Sequence, residues 1–137
     1  YKARLVANGY TQTYGDDYQE TFSPVAKMNT VRVLISLAAN LNWPLKQFDV
    51  KNAFLHGHLE EEVFMDFSPG YNAGGKTKVC RLQKSLYGLK QSPRAWFGRF
   101  TQVMRRIGYY QSHSDHTLFV KWRSGKVMAL IIYVDDR

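Results

Sequence analysis

The spacing of hydrophobic residues predicts two amphipathic helices. The first begins near Asn29, where Asn29 or Thr30 can cap the helix. The second begins at Ser92-Pro93, a capping hydroxyl followed by proline at the first helical position, and ends before Gly108. The apolar stripes are Val31, Leu34, Leu37, Ala38 and Leu41 in the first helix, and Trp96, Phe97, Phe100, Val103, Met104 and Ile107 in the second. Core packing explains the second stripe without any role in stacking on nucleic-acid bases.

Alternation of apolar and polar residues predicts most of the strands, and an almost unbroken apolar run predicts the last one. The expected strands are 2–7 at a sheet edge, 45–51, 62–67, 78–82, 117–122 and 127–134. The last two are joined by Arg123-Ser124-Gly125-Lys126, a sequence typical of a hairpin loop. The order of strand, helix, strands, helix and hairpin predicts an α+β fold with an antiparallel sheet and helices packed on one face.

Composition places the chain among folded proteins of one compact domain. Its 137 residues are 45% hydrophobic and 15% aromatic, which is too rich for a disordered chain. No apolar run approaches the roughly 18 residues that a membrane span needs. The single cysteine, Cys80, excludes an internal disulfide and a multi-cysteine zinc site, which favours a reducing compartment.

Positive charge is concentrated in one stretch of the chain. Lys and Arg number 19 against 11 Asp and Glu, which gives a net charge of +8. Nine of the basic residues and no acidic residue lie in 76–106. This asymmetry suggests a polyanionic partner such as a nucleic acid or a membrane surface. The alternative is a solvated helix face whose arginines have no partner.

Aspartates occur where they could bind divalent cations. The apolar run 128–134 ends in Asp135 and Asp136, and adjacent carboxylates at the end of a buried strand repel each other unless a cation is near. Asp49 lies on an earlier predicted strand. Two Mg²⁺ ions held by Asp49 and Asp135 could catalyse phosphoryl transfer on a nucleic acid. For the Asp135-Asp136 pair alone, an ordinary turn is the alternative.

Other polar clusters are better explained as parts of the surface. Gly15-Asp16-Asp17 resembles the signature of RNA-dependent RNA polymerases, but no apolar strand leads into it, so we interpret it as a turn. The histidine pairs and the run of glutamates fit polar loops better than a zinc site or a catalytic acid cluster. They are His56 with His58, His113 with His116, and Glu60-Glu61-Glu62.

Five motifs follow one another along essentially the whole chain. They are 2–7 (KARLVA), 20–25 (ETFSPV), 48–57 (FDVKNAFLHG), 85–96 (SLYGLKQSPRAW) and 133–136 (YVDD). In this order they resemble the reverse transcriptase of Ty1/copia-type LTR retrotransposons. The resemblance implies a right-hand polymerase fold with fingers and palm, and an RNA-directed DNA polymerase activity that joins dNTPs to a primer 3′-hydroxyl by a two-metal mechanism.

The resemblance also implies the catalytic residues. Asp49 and Asp135 match the two metal-binding palm aspartates, with Asp136 beside the second in support. The backbone carbonyl of Val50 would be a further metal ligand. The cofactor would be two Mg²⁺ ions, for which Mn²⁺ can substitute.

Further residues match positions near the nucleotide and the template. Lys2 and Arg4 match basic residues that would hold the triphosphate, and the planar fork of Arg4 suits phosphate better. Phe54 matches an aromatic gate that excludes a ribose 2′-hydroxyl, and Gln91 matches a glutamine near the incoming nucleotide. The basic residues expected to contact nucleic acid are Lys84, Lys90 and Arg94.

The same resemblance implies partners, location and domain organisation. The partners would be an RNA or DNA template with primer, dNTPs and the rest of a Pol polyprotein (thumb, RNase H and integrase), and no membrane. The location would be intracellular, in cytoplasmic virus-like particles. Residues 1–44 and 68–92 would be fingers-like, and 45–67 and 93–137 palm-like, in a single partial domain.

The family continues after the double aspartate, whereas this sequence stops at Arg137. We therefore expect a fragment, truncated before the thumb and inactive alone. One alternative function is a palm-like nucleic-acid-binding module without catalysis. Another is a basic domain that acts only as a structural surface within a polyprotein.

Overall fold

The computed structural model describes residues 4–21, 23–71 and 78–134, which contain two α-helices and five β-strands. The helices are α1, Met28–Asn40, and α2, Ser92–Arg106. The strands are β1, His58–Met65; β2, Cys80–Lys84; β3, Tyr110–Gln111; β4, Leu118–Arg123; and β5, Lys126–Ile131. Two short 3₁₀ turns, Gly9–Thr11 and Ala53–His56, lie in the connections.

The strands form two antiparallel sheets. β1 pairs with β2, and β4 lies between β3 and β5 in a three-stranded sheet. The expected α+β class is confirmed, whereas the expectation of one sheet is wrong for the described residues. The sequence did not predict β3 because two residues are too short to show an alternating pattern.

The chain folds into two compact units, each built from two separate stretches. The first unit takes the described residues of Tyr1–Phe22 and Asn52–Trp96, and the second takes those of Ser23–Lys51 and Phe97–Arg137. α1, β3, β4 and β5 therefore belong to the second unit, and β1 and β2 to the first. The division of the chain into fingers-like and palm-like segments stays a prediction.

Each unit has its own apolar core. In the second unit Phe119 is fully buried, and its ring centroid lies 6.3 Å from that of Phe97 and 5.6 Å from that of Phe100. Edge-on ring pairs of this kind add to the stabilisation from burial. The first unit is built around an apolar cluster of Ala7, Val63 and Leu89, against which Leu59, Leu82 and Leu86 pack.

The start of α1 differs from its sequence signals. The residue that precedes the helix is Lys27, so Asn29 and Thr30 lie in the first turn, and the expected cap is wrong. The N–H of Lys27 instead donates to the carboxylate of Asp115, at 3.1 Å. A side chain remote in sequence thus satisfies a helix terminus that local residues were expected to satisfy.

The predicted apolar stripe of α1 is only partly buried. Ala38 is buried, whereas Leu37 is 40% and Leu41 54% exposed. A cavity of about 450 Å³ lies between the helix and the sheet, lined mostly by apolar side chains of α1, β4 and β5 together with Asn29, Thr30 and Trp43. The stripe therefore faces the sheet without being fully covered by it.

The predicted positions of α2 and of the last hairpin are confirmed, whereas Val103 and Ile107 of the predicted buried stripe are 42% and 50% exposed. α2 starts at Ser92, and Gly108 follows it with a φ of +88°, the left-handed geometry of a helix stop. Ser92 is itself the first helical residue, and its hydroxyl donates to the carbonyl of Leu86 at 2.5 Å, so the expected capping role of Ser92 is wrong. β4 and β5 are joined by Ser124 and Gly125, whose positive φ values of 50° and 74° match the right-handed twist of the strands.

Two predicted strands are wrong for the described residues. Residues 4–7 and 45–51 have no regular strand structure. The N–H of Ala7 makes one backbone hydrogen bond, to the carbonyl of Tyr87 at 2.7 Å, and one bond does not make a ladder. The segment 45–51 has a strand-like pattern but pairs with no strand among the described residues, and a strand is stable only when its backbone is paired.

Candidate active site

Asp49 lies in an irregular, exposed segment between α1 and the 3₁₀ turn Ala53–His56. Its neighbours Phe48 and Val50 are 75% and 45% exposed. A carboxylate and a backbone carbonyl are the hard oxygen ligands that Mg²⁺ prefers, so the donor set here fits a divalent cation. Asp135 and Asp136 lie outside the described residues, so metal binding by Asp49 and Asp135, and their meeting at one site, stay predictions.

The chain that precedes the double aspartate is fixed by two backbone hydrogen bonds. The N–H of Ile132 donates to the carbonyl of Thr117 at 3.0 Å, and the N–H of Val134 to the carbonyl of Pro24 at 3.2 Å. Ile132 and Val134 are buried, whereas Tyr133 is 63% exposed. Buried and exposed residues therefore alternate over 132–134, past the end of β5, whereas the first four residues of β5 are exposed and the expectation of a buried strand is wrong for them.

Two of the three glutamates of β1 pair with arginines. Glu62 pairs with Arg81 at 2.9 Å, and Glu61 with Arg94 at 3.6 Å. Within the described ranges, no group of three or more His, Cys, Asp or Glu is placed to hold a metal ion. In the same ranges, no helix has the length and apolar character that crossing a membrane requires.

Phe54 is held in the 3₁₀ turn by a buried serine. Ser85 is fully buried, and its hydroxyl donates to the carbonyl of Phe54 and, at 3.4 Å, to that of Gly57. The N–H of Ser85 donates to the same Gly57 carbonyl at 3.0 Å. These bonds fix the backbone of the turn that carries the Phe54 ring.

Tyr87 contacts two of the predicted nucleotide-binding residues. Its ring centroid lies 4.9 Å from that of Phe54, with the two planes inclined by 55°. The guanidinium carbon of Arg4 lies 5.3 Å from the Tyr87 ring centroid, in a cation–π contact. The structure thus brings Arg4 and Phe54 to one aromatic ring, and Lys2 lies outside the described residues.

Gln91 has both ends of its side-chain amide bonded within the protein. Its oxygen accepts from the side-chain nitrogen of Gln12 at 3.0 Å, and its nitrogen donates to the carbonyl of Asp17 at 3.2 Å. Only 1% of Gln91 is exposed. The oxygen of Gln12 in turn accepts the N–H of Lys90 at 2.9 Å. This amide clamp joins the polar loop 12–17 to the start of α2, and a direct contact of Gln91 with nucleotide stays a prediction.

The three basic residues predicted to contact nucleic acid differ in their interactions with the rest of the protein. Arg94 lies 3.6 Å from a carboxylate oxygen of Glu20, in addition to its pair with Glu61, and its side chain is 38% exposed. The ammonium of Lys90 lies 5.2 Å from the ring centroid of Tyr18. Lys84 is exposed at the end of β2. Of these three cations, Lys84 is therefore the one without an ion pair or ring contact to the described residues.

Sequence reasoning missed the residues that position these side chains. Nothing in the pattern separates Tyr87 from Tyr71, Tyr109 or Tyr110, since contact with Phe54 depends on tertiary structure. Gln12 lies in a polar stretch of ordinary turn composition. Asp115 could not be identified from the sequence, because two of its partners, Lys27 and Thr30, lie far away in sequence.

Comparison with known proteins supports the motif-based resemblance. All of residues 1–137 match the family described as reverse transcriptase (RNA-dependent DNA polymerase). No solved structure matches the chain significantly.

Curated relatives include Pol polyproteins of transposons. The Retrovirus-related Pol polyprotein from transposon RE2 of Arabidopsis thaliana is 47% identical over 137 residues, and that from transposon TNT 1-94 of Nicotiana tabacum is 48% identical over 138 residues. The Transposon Ty1-ER2 Gag-Pol polyprotein of Saccharomyces cerevisiae is 36% identical over 142 residues. Each alignment covers 99% of this chain, which spans 9%, 10% and 8% of the three relatives.

Proposed function

The chain belongs to the reverse transcriptase family of Ty1/copia-type Pol polyproteins, and we propose that it forms part of an RNA-directed DNA polymerase. The reaction would transfer a nucleotide from a dNTP to a primer 3′-hydroxyl and release pyrophosphate. The observation that carries the proposal beyond family membership is the contact of Arg4 and Phe54 with one ring, that of Tyr87.

Arg4 and Phe54 would recognise different parts of the same nucleotide. The guanidinium of Arg4 presents several N–H donors in a planar fork, which suits the oxygens of a triphosphate. The ring of Phe54 offers no hydrogen-bonding group, so a 2′-hydroxyl placed against it would lose its solvation without gaining a partner. The pair would therefore select deoxyribonucleoside triphosphates. Gln91 and Lys2 are proposed as further residues of this nucleotide site.

Asp49, the Val50 carbonyl and Asp135 are proposed to hold two Mg²⁺ ions, with Asp136 in support. Bound ions of this kind lower the pKa of an attacking hydroxyl and stabilise the charge on a leaving pyrophosphate. Exposure of Asp49 leaves its carboxylate accessible to a metal–nucleotide complex. The protein's own part is to hold these oxygens and to orient the sugar and triphosphate.

The remaining assignments concern the template and the larger protein. Lys84, Lys90 and Arg94 are proposed to contact the phosphate backbone of a template and primer. Residues 1–44 and 68–92 are proposed as fingers, and 45–67 and 93–137 as palm. The rest of a Pol polyprotein would supply the thumb, RNase H and integrase, and the complex would act in cytoplasmic virus-like particles.

Primer extension on an RNA template tests the proposal. The protein is a full polymerase that carries this chain, supplied with dNTPs and Mg²⁺. We expect Asp49→Asn to lower the extension rate by roughly 100-fold or more while primer–template binding is retained, because active-site groups contribute on this scale. Asp16→Asn is the matched control, since Asp16 lies in an exposed turn, and it should extend as the parent does.

Two outcomes would contradict the proposal in different ways. Extension at the parent rate by Asp49→Asn would remove the catalytic role of Asp49. Tight binding of primer–template by a parent protein that shows no extension with Mg²⁺ or Mn²⁺ would favour the non-catalytic nucleic-acid-binding module instead.

A further inference from the structure

Tyr87 is the ring on which the proposed sugar gate and the proposed triphosphate ligand converge. The Phe54 ring centroid lies 4.9 Å from that of Tyr87, and the Arg4 guanidinium carbon lies 5.3 Å from it. The ring contact and the cation–π contact both use the aromatic system and neither requires the hydroxyl. The phenolic ring is therefore the part of Tyr87 that matters.

The backbone on either side of Tyr87 is fixed to the same two segments. Ser85, two residues earlier, bonds through its buried hydroxyl to the turn that carries Phe54. The carbonyl of Tyr87 accepts the N–H of Ala7 at 2.7 Å, and Ala7 lies three residues after Arg4 in the chain. The segment 85–87 is thus joined to the Phe54 turn and to the Arg4 segment by hydrogen bonds as well as by the Tyr87 ring.

A steric gate needs a fixed ring, because small displacements decide whether a single oxygen atom fits. The backbone bonds from Ser85 fix the turn, but they leave the side-chain torsions of Phe54 free to change. The Tyr87 ring packs against Phe54 and removes part of that freedom. The same ring restrains the long side chain of Arg4, which otherwise has many rotamers.

We propose that Tyr87 is a positioning residue that fixes the Phe54 ring and the Arg4 guanidinium relative to each other, and thereby sets the preference for deoxyribonucleotides over ribonucleotides. The inference rests on the proposed polymerase function. Tyr87 itself needs no contact with the substrate. It acts by preorganising two groups that would contact the sugar and the triphosphate.

The test measures kcat/KM for a dNTP and for the matching rNTP in a full polymerase that carries this chain. We expect Tyr87→Ala to lower the dNTP/rNTP ratio by about 10-fold or more and to raise KM for the dNTP, since both partners lose their support. Tyr87→Phe should keep the ratio because it keeps the ring. Tyr71→Ala is the matched control: Tyr71 packs against Phe67 with centroids 5.3 Å apart in the same unit, and its loss should leave the ratio unchanged.

Two further variants separate this inference from the proposed function. Phe54→Ala should lower the ratio at least as much as Tyr87→Ala, and the double variant should lower it no further, because Tyr87 acts through Phe54. If Phe54→Ala leaves the ratio unchanged, the gate itself is wrongly assigned. If Phe54→Ala lowers the ratio and Tyr87→Ala does not, the positioning role of Tyr87 is overturned.

A purely structural role makes a different prediction. It would lower kcat/KM for both nucleotides by the same factor, and that result would also overturn the inference. Tyr87→Leu, which keeps most of the buried volume and removes the aromatic face, replaces Tyr87→Ala if the alanine variant does not fold. A lowered ratio in Tyr87→Leu with a normal ratio in Tyr87→Phe supports the inference.

Discussion

The carboxylate of Asp115 accepts a hydrogen bond of 3.1 Å from the N–H of Lys27, the residue before α1 and 88 positions earlier in the chain. It also accepts the N–H and the hydroxyl of Thr117, at 3.0 and 2.6 Å, and a side-chain bond from Thr30. A negative charge at a helix N-terminus is favourable. Asp115 therefore connects the start of α1 to the chain that enters β4.

Removal of this charge should destabilise the protein. We expect Asp115→Asn to lower the free energy of unfolding by roughly 1–3 kcal/mol, because an amide nitrogen would face donors that now point at a carboxylate oxygen. Urea denaturation measures the change. Asp66→Asn is the control, since Asp66 is exposed, and an equal loss in both variants would contradict the capping role.

The same carboxylate should make stability depend on acid pH. Burial raises the pKa of Asp115, but the hydrogen bonds from Thr117, Thr30 and Lys27 outweigh it and lower the pKa from 3.8 to about 2. The ionised form is thus favoured by folding, so the stabilisation is complete above about pH 4 and is lost as the pH falls towards 2.

Unfolding free energies of the parent and of Asp115→Asn, measured between pH 5 and pH 2, test this dependence. Their difference should shrink by about 2 kcal/mol over that interval, the value of a shift of this size. A difference that stays constant with pH would show that Asp115 does not titrate in this way.

Gly88 should not tolerate a side chain. Its φ is +92°, and a Cβ would collide with the carbonyl of Ala7 and lie 2.8 Å from Val6. Gly15 has a similar φ of +93° but nothing within 4 Å, so Gly15→Ala isolates the backbone cost of roughly 1–2 kcal/mol. We expect Gly88→Ala to cost roughly 1–3 kcal/mol more in thermal or urea unfolding, from the added collision. Equal losses would mean that the contact with Ala7 is not close.

The amide clamp should contribute more to the free energy of unfolding than an exposed hydrogen bond does. Gln12→Ala leaves the buried oxygen of Gln91 and the N–H of Lys90 without their present partner, which should cost roughly 1–3 kcal/mol. Gln19→Ala removes only an exposed bond, 3.0 Å to the carbonyl of Gly15, and should change stability by less than about 0.5 kcal/mol. Similar values for the two variants in urea denaturation would argue against the clamp.

Lys84 should contribute to nucleic-acid affinity through salt-dependent contacts. If its ammonium binds one phosphate, Lys84→Ala should reduce the slope of log affinity against log salt by about 0.7–0.9. Lys126→Ala, an exposed lysine outside the basic stretch 76–106, should leave the slope unchanged. Fluorescence anisotropy with a labelled primer–template measures both, and identical slopes would remove Lys84 from the interface.

Features with local signals could be predicted from the sequence. Ser92-Pro93 and Gly108 mark α2, and Ser124-Gly125 marks the last hairpin, because each depends on the backbone preferences of a few adjacent residues. The segment 45–51 shows the limit of this reasoning. Its alternating pattern is that of a strand, but strand formation needs a partner that the pattern does not specify.

The same distinction, between residues with a local sequence signal and residues that depend on tertiary packing, applies to the candidate site. Arg4, Phe54 and Asp49 could be named because their motifs resemble those of a family. Tyr87, which contacts Arg4 and Phe54, and Gln12, which bonds to Gln91, belong to no motif position with an assigned role, and only packing reveals them.

The interleaving of the two compact units has a consequence for synthesis and dissection of the protein. The chain passes from one unit to the other three times, near residues 22, 51 and 96. During translation, Ser23–Lys51 emerges long before Phe97–Arg137, so the second unit cannot complete its core until the last stretch has left the ribosome. No single cut in the chain yields both units whole, and limited proteolysis should give pieces that stay associated rather than two separable domains.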